Sequence, residues 1–241
     1  MTISLISLIK ELVDNIKDSE IRKLTIDIIS NPKLSFTSIK PLIELTESPA
    51  APRKHHMFSG GLMIHTVSVA KIAIALCKIF EEIYGVEINR DLVIAASILH
   101  DIYKYYQYDR DALNGGYRPR DDWYLSHDYA VVAEVAKRGG GDNIIRVLSE
   151  VHGIAPITTF EGLVVHLADS IDAKFGEYIQ NEIISEIKNS GVESKGCKPI
   201  ELFDIAIKKF GIHTVFRYAK DNVKLYELFN ELCSEVASKG K

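Results

Sequence analysis

Apolar residues recur along most of this chain at intervals of three and four positions, which places them on one face of an α-helix. Leu5, Leu8, Leu12 and Ile16 show this spacing near the start. The pattern predicts helices over residues 3–17, 19–30, 61–84, 90–106, 126–138, 142–152, 159–188, 200–210 and 221–238, and a short element over 36–46. Alternating patterns typical of strands are nearly absent. The fold class is therefore predicted to be all-α.

Polar stretches that contain glycine and proline separate the predicted helices. Loops are expected over 108–123 and 189–199, and "GIHTVFRY" before the last helix has some β character. Asp142, after "GGG", and Thr158 with Glu161 have the positions of helix caps. These breaks suggest an N-terminal helical segment over 1–48, a main domain over 49–188 and a C-terminal helical extension over 189–241.

The composition is that of an ordinary globular protein, with 46% hydrophobic and 26% charged residues among 241. A net charge of −4 argues against bulk binding of nucleic acid. The three cysteines are far apart and form no CxxC, which predicts a reducing compartment without a disulfide framework or zinc knuckle. The N-terminus lacks the basic start of a signal sequence, and no stretch reads as membrane-spanning. A cytoplasmic protein without a membrane partner is expected.

Histidines are the main chemical signal, because several of the eight lie in or beside apolar helical runs. A lone histidine on an apolar face is usually a packed core residue. Five or six such histidines, together with Asp101 and Asp169 in similar settings, point to a shared site. Imidazole and carboxylate ligands suit divalent metals such as Mn, Fe, Ni, Co or Zn. The absence of HExxH and CxxC argues against a zincin or a structural zinc site.

The adjacent pair His100 and Asp101 ends the apolar run "IAASILHD". Consecutive residues of a helix point about 100° apart, so they cannot easily bind one ion in mid-helix. They can do so near a helix end, or if Asp101 bridges two ions while His100 holds one. A bridging carboxylate would hold two metals about 3.5–4 Å apart, the spacing used in phosphoester chemistry.

The ordered series His65, His100-Asp101, His127, His152 and Asp169 resembles the HD superfamily of metal-dependent phosphohydrolases. The stretches "SPAAPRKHHMFSGGLMIHTVSVA", "ILHDIYK" and "EGLVVHLADSIDA" are similar to the catalytic domain of bacterial HD-type 3′→5′ exoribonucleases. The resemblance covers roughly residues 45–180 and implies an HD-domain helical bundle over 49–188. Those enzymes also carry an N-terminal OB-fold, where this sequence has a short helical segment. Tyr103 stands where many relatives have glycine.

The resemblance implies that His65, His100, Asp101 and Asp169 hold one metal ion. His127 and His152, with Asp101 as a bridge, would complete a second site, with Mn favoured and Fe, Ni, Co, Zn or Mg as alternatives. His127 could instead lie solvated at a helix start, after the good cap residue Ser126. Asp172 would orient a ligand from behind, and His166 would either do the same or simply pack.

Asp101 and Lys104 are the predicted catalytic residues, Asp101 as the metal bridge and Lys104 as a phosphate contact or leaving-group stabiliser. Lys104 could instead be a solvated surface lysine. Arg53, His56, Arg118 and Arg120 are predicted to bind substrate; each could instead belong to a solvated loop. Tyr103, Tyr105, Tyr106 and Tyr108 could stack a base, although such clusters more often pack in a core.

The predicted reaction is metal-assisted hydrolysis of a phosphodiester, in which a metal-activated water attacks phosphorus. Similarity of motifs favours a 3′→5′ exonuclease on single-stranded nucleic acid. The acidity and the missing OB-fold favour the alternative, a phosphohydrolase that acts on nucleotides, cyclic nucleotides or cyclic dinucleotides. A degenerate HD domain that serves as a sensor or scaffold would not need the intact ligand set. The sequence leaves the oligomeric state open, with a homodimer among the options.

Overall fold

In a computed structural model, which describes residues 5–239, the chain forms ten α-helices and a two-stranded ribbon. The helices are α1 (Leu5–Asp14), α2 (Ser19–Ser30), α3 (Gly61–Tyr84), α4 (Arg90–Leu99), α5 (His127–Lys137), α6 (Asp142–Val151), α7 (Phe160–Asn189), α8 (Pro199–Phe210), α9 (Ile212–Arg217) and α10 (Asn222–Lys239). Short 3₁₀ turns cover Leu45–Glu47, Lys104–Tyr106 and Val192–Lys195. The predicted all-α class is confirmed.

The main core surrounds α3, which packs against α1, α4 and α7. Its buried side chains include those of Val69, Ala70 and Ala73, whose small size lets neighbouring helices approach closely. By length and composition α3 could also cross a membrane, which the sequence analysis did not anticipate. Its central place in the bundle accounts for the apolar character, because a core helix must be apolar on several faces.

A second hydrophobic cluster joins the end of α7 to α8, α9 and α10. Met57 and Phe58, from the loop before α3, also belong to it. The expectation that no disulfide forms was wrong, since Cys197 and Cys233 are bonded, with a Cα–Cα distance of 5.8 Å. Their separation of 36 residues hides this pairing, which depends on α10 folding back beside Cys197. Cys77 is free and buried in the main core.

Several predicted local features differ from the structure. The loop over 108–123 contains an antiparallel ribbon, β1 (Tyr108–Arg110) paired with β2 (Tyr117–Pro119). The predicted element over 36–46 is reduced to the turn at Leu45–Glu47, and "GIHTVFRY" contains helix α9. The first predicted helix begins at Leu5, and residues 3–4 lie outside the described range.

The two predicted caps are each displaced by one residue. Thr159 caps α7 by accepting a hydrogen bond from the Gly162 N–H, while the Thr158 hydroxyl bonds Glu150. Gly141 precedes α6, whose first residue is Asp142. Buried Glu150 accepts hydrogen bonds from both threonine hydroxyls, and the Thr159 hydroxyl also accepts the Gly162 N–H.

The helix predicted over 90–106 ends at Leu99, so that His100 is its C-cap residue and Asp101 lies in the following turn. This ending matters for the site, because the chain turns there and adjacent side chains can converge. Lys104 then begins a 3₁₀ turn, and its backbone N–H bonds the Asp101 carbonyl.

Candidate metal centre

Six residues from five helices or helix ends meet at one point of the main core. His65 lies within α3, His100 caps α4, Asp101 follows it, His127 begins α5, His152 caps α6 and Asp169 lies within α7. His65, His100 and Asp101 are fully buried. The structure thus brings together all six residues that the sequence analysis predicted as metal ligands.

One part of the cluster contains His65, His100, Asp101 and Asp169. His65 Nε2 lies 3.3 Å from Asp101 Oδ2 and 3.1 Å from Asp169 Oδ1. His100 Nε2 lies 3.6 Å from the same Asp101 oxygen and 3.9 Å from the same Asp169 oxygen. His65, His100 and Asp169 form one of the groups whose ligand atoms are close enough to hold a metal ion.

The other part of the cluster uses the second oxygen of Asp101. His127 Nε2 lies 3.1 Å and His152 Nε2 3.2 Å from Asp101 Oδ1. The two oxygens of this carboxylate therefore face different pairs of histidines. This is the arrangement that a carboxylate bridging two ions requires.

A second layer of contacts fixes the histidine rings. His65 Nδ1 donates to Asp172 Oδ2 over 2.6 Å, and His100 Nδ1 donates to the Ser97 carbonyl over 2.9 Å. Such contacts set the tautomer and leave Nε2 directed at the centre. The expectation for Asp172 thus agrees with its position. His166 Nδ1 instead donates to the Val151 carbonyl, next to His152.

The charges of the cluster are strongly coupled. Burial lowers the pKa of His100 to about 4 and also lowers that of His127, which favours the neutral imidazole. Burial acts the same way on His65, but hydrogen bonds with Asp101, Asp169 and Asp172 raise its pKa to about 10. His65 therefore carries a proton that metal ligation would displace.

The donor atoms fit a divalent metal. Buried polar groups are normally hydrogen-bonded, yet His100 Nε2 is buried with its nearest carboxylate oxygens at 3.6 and 3.9 Å. His65 Nε2 and His127 Nε2 are also buried, and each lies within 3.3 Å of carboxylate oxygens of the cluster. Imidazole nitrogens and carboxylate oxygens gathered in this way suit borderline divalent ions.

A cavity of about 630 Å³ opens beside the cluster, within the range of small-molecule sites. Its lining combines basic, aromatic and histidine side chains: Arg53, Lys54, His55, Lys104, Tyr108, Trp123, Tyr124 and His127. Lys104 connects the cavity to the metal centre, because its Nζ lies 2.5 Å from Asp101 Oδ2. Burial acts to lower the pKa of Lys104, but attraction to Asp101 and Tyr108 raises it, so its charge is retained.

The other predicted substrate residues lie in different surroundings. Arg120 is nearly buried, and its guanidinium bonds both oxygens of Asp122 and the carbonyls of Lys40 and Tyr106. It therefore borders the cavity as a structural clamp on the loop. Arg118 pairs with Asp109 and Asp121 outside the cavity lining.

His56 is buried behind the centre, with Nε2 3.6 Å from Asp172 Oδ2, and its neighbour His55 lines the cavity instead. His55 takes the place predicted for His56 because of the backbone, since His56 has a φ of 46° and its side chain is turned away from the cavity. A Cβ on Gly61 would lie 2.0 Å from the His56 carbonyl oxygen, and one on Gly176 would lie 2.5 Å from its ring. Only glycine at both positions allows this close approach.

Sequence reasoning missed Trp123 and Tyr124 as cavity residues. One feature of the sequence could have indicated Trp123: it is the single tryptophan of the chain and lies in a polar loop. Of the four tyrosines considered for stacking, only Tyr108 lines the cavity, while Tyr103, Tyr105 and Tyr106 are core residues.

Comparison with known proteins agrees with this geometry. A family model described as "HD domain" matches residues 62–174. A dihydroneopterin 2′,3′-cyclic phosphate phosphodiesterase of Methanocaldococcus jannaschii is 34% identical over 229 residues, which cover 92% of this chain and 91% of that protein. The chain belongs to the HD-domain family of metal-dependent phosphohydrolases.

Other relatives of this HD-domain protein match over shorter stretches. The 3′-5′ exoribonuclease YhaM of Geobacillus sp. is 32% identical over 141 residues, covering 52% of this chain and 41% of that protein. YhaM of Shouchella clausii is 28% identical over 181 residues, which cover 65% of this chain and 55% of that protein. The HD-domain chain thus spans about half the length of these exoribonucleases. No solved structure gives a significant match.

We expect the melting temperature of this HD-domain protein to rise with divalent metal and fall with chelator. A ligand that binds only the native state stabilises it by about 2.7 kcal/mol at a hundredfold excess over its dissociation constant. Differential scanning fluorimetry with EDTA and with graded Mn²⁺, Fe²⁺ or Zn²⁺ measures this. Ca²⁺ is the control, because hard oxygen-seeking ions fit this histidine-rich cluster poorly. Identical melting in EDTA and in every transition metal would contradict a preformed site.

Proposed function

We propose that this chain is a metal-dependent phosphodiesterase that opens a small cyclic phosphate ester carried by a planar heterocycle. The observation that carries the proposal is the cavity of about 630 Å³ beside the metal centre, which joins positive charge to aromatic surface. Cyclic phosphate is the substrate named for the Methanocaldococcus jannaschii relative, which aligns with nearly the whole chain.

We assign His65, His100, Asp101 and Asp169 to one metal and His127, His152 and Asp101 to the other. Divalent ions bound there would supply Lewis acidity and neutralise charge on the phosphoryl oxygens. Mn²⁺ and Fe²⁺ are the ions we favour for this ligand set. Asp101 holds the two halves of the cluster at a fixed separation, because each of its oxygens faces one pair of histidines.

The cavity side chains divide into two roles. Lys104 is charged and reaches both the cluster and the cavity, so it would bind a non-bridging phosphoryl oxygen. Arg53 and Lys54 lie at the rim, where they would attract an anionic ester. Trp123 and Tyr124, with ring centroids 5.7 Å apart, offer flat apolar faces on which a heterocycle can stack.

The reaction adds one water molecule across one P–O bond of the ring. A P–O bond forms to the water oxygen, and the bond from phosphorus to one ribose-like oxygen breaks. The water proton ends on the departing oxygen, which becomes a hydroxyl, and the product is a phosphomonoester. No oxidant or second substrate is needed.

A second candidate is the 3′→5′ exonuclease activity that the sequence analysis favoured. The partial matches to YhaM support it. The cavity is open enough for the end of a strand, but the net charge of −4 gives no extended track for the phosphate backbone. Such an enzyme would bind strands weakly and shorten them distributively.

The deciding experiment compares turnover of dihydroneopterin 2′,3′-cyclic phosphate, guanosine 2′,3′-cyclic phosphate and a 5′-labelled single-stranded oligonucleotide with Mn²⁺ or Fe²⁺. We expect the cyclic phosphates to be opened with kcat/KM at least about 100-fold above that for strand shortening, since stacking and one phosphate fill the cavity. Trp123→Ala should raise KM for the cyclic esters, while Tyr129→Ala, exposed on α5 outside the lining, should not. A ladder of shortened oligonucleotides with inert cyclic phosphates would favour the exonuclease.

A further inference from the structure

The outward face of α7 carries a long apolar stripe. Its members are Phe160, Leu163, Leu167, Ile171, Phe175 and Tyr178, and all but Leu167 are exposed large hydrophobics. Phe175 alone leaves 65% of its surface in contact with solvent. Successive residues of an α-helix are rotated by about 100° around its axis, and these six positions fall within a sector of the helix surface about 120° wide. Contiguous apolar surface of this kind on a soluble protein usually marks an interaction site.

The stripe lies on the opposite side of α7 from the metal centre. Asp169, which faces the cluster, is about 180° around the helix from Phe160 and Tyr178. A partner on the stripe would therefore leave the cavity and the metal ligands open.

The spacing of the stripe is symmetrical along the chain. Its steps are three, four, four, four and three residues, so the series reads the same from either end. Two copies of α7 laid antiparallel about Asp169 would place Phe160 opposite Tyr178 of the second copy. The same register places Leu163 opposite Phe175 and Leu167 opposite Ile171. Every apolar residue then meets an apolar residue, as an isologous two-fold interface requires.

We propose that this stripe is the contact surface of a homodimer in which two α7 helices pack antiparallel. The symmetrical order selects a second copy of this chain, since an unrelated partner would place no such demand on the spacing. Lys174 lies within this sector and pairs with Glu177 over 3.4 Å. Its long aliphatic stem can cover apolar surface while the ammonium group reaches water at the side of the interface. The proposal does not depend on the substrate.

Light scattering coupled to size-exclusion chromatography, over a dilution series of the purified chain, tests the dimer. We expect a dimer that Ile171→Asp or Phe175→Glu converts to a monomer, raising the dissociation constant at least about 100-fold. Both residues are exposed, so the monomeric variants should keep the parental far-UV circular dichroism spectrum. Val223→Glu, 68% exposed on α10, is the matched control and should remain dimeric. A monomeric parent, or a dimer that survives both substitutions, would overturn the proposal.

A charge pair tests the register itself. Leu163→Lys combined with Phe175→Glu places opposite charges across the interface twice, so we expect dimer formation to return. Leu163→Glu combined with Phe175→Glu places like charges there and should stay monomeric. Equal behaviour of the two double variants would reject the antiparallel register.

Discussion

Replacing Asp101 by asparagine should remove both metal ions and lower kcat/KM by at least about 10³-fold. The amide keeps the size of the carboxylate but loses its charge and one acceptor oxygen. Asp101 lies within 3.6 Å of all four histidines of the cluster, since His65 and His100 face one of its oxygens and His127 and His152 the other. Its loss would therefore act on both of the proposed metal sites at once.

The same variant should also unfold at a lower temperature in EDTA. Lys104 is buried and lies 2.5 Å from Asp101 Oδ2, and neutralising one member of a buried pair typically costs about 3–5 kcal/mol. For a chain of this size that corresponds to a fall of roughly 10 °C. Circular dichroism melting measures it.

Asp169→Asn is the matched comparison, because the Asp169 carboxylate lies closest to His65, at 3.1 Å, while its distances to His100 and His152 are 3.9 and 3.8 Å. We expect metal analysis by inductively coupled plasma mass spectrometry to show loss of one ion there and of both ions in Asp101→Asn. Full metal content with unchanged turnover in Asp101→Asn would show that this carboxylate is not the bridge.

The helical architecture was predictable because it rests on local spacing. Apolar positions repeated every three or four residues locate α3 and α7 to within a residue or two of their observed bounds. Features that depend on distant contacts were not predictable. The Cys197–Cys233 bond needs α10 to fold back, and the hydrogen bonds from Thr158 and Thr159 to Glu150 need α6 to lie beside the start of α7.

The clustering of the six proposed metal ligands was predictable for a different reason. Burying histidine or aspartate side chains in apolar helices costs free energy unless they are hydrogen-bonded, paired or bound to a metal. Their recurrence in such helices therefore indicates a shared site. The sequence left two ways for His100 and Asp101 to serve one site, a nearby helix end or a carboxylate that bridges two ions. The end of α4 at Leu99 provides the first and lets the two side chains converge.

The residues that line the cavity were harder to predict from the sequence. Charged loop residues look alike in a sequence, yet Arg120 is bonded to Asp122 and backbone carbonyls while Arg53 remains 70% exposed at the cavity rim. The choice between His55 and His56 depends on a left-handed backbone at His56 that no pattern indicates. Packing against Gly61 and Gly176 explains it only after the fold is known.

Replacing Lys104 by methionine should lower kcat by about 10²–10³-fold while the metals stay bound, as expected for the loss of one preorganised charge at a reacting phosphate. Methionine has a similar length, so the packing around Tyr108 and His127 should survive. Lys54→Met is the control, since Lys54 lines the same cavity without reaching Asp101 and should mainly raise KM.

The pattern of kcat and metal content separates a catalytic role of Lys104 from a structural one. If Lys104 serves only to neutralise Asp101, ions bound at the centre would take over that task, and kcat of the metal-loaded variant would equal that of the parent chain. If Lys104 binds the phosphoryl group, kcat falls at full metal occupancy, and Lys104→Arg recovers part of it because its charge can still reach the phosphate. Measuring metal content and steady-state kinetics on the same preparations distinguishes the two, and we expect the second pattern because Lys104 lines the cavity as well as the cluster.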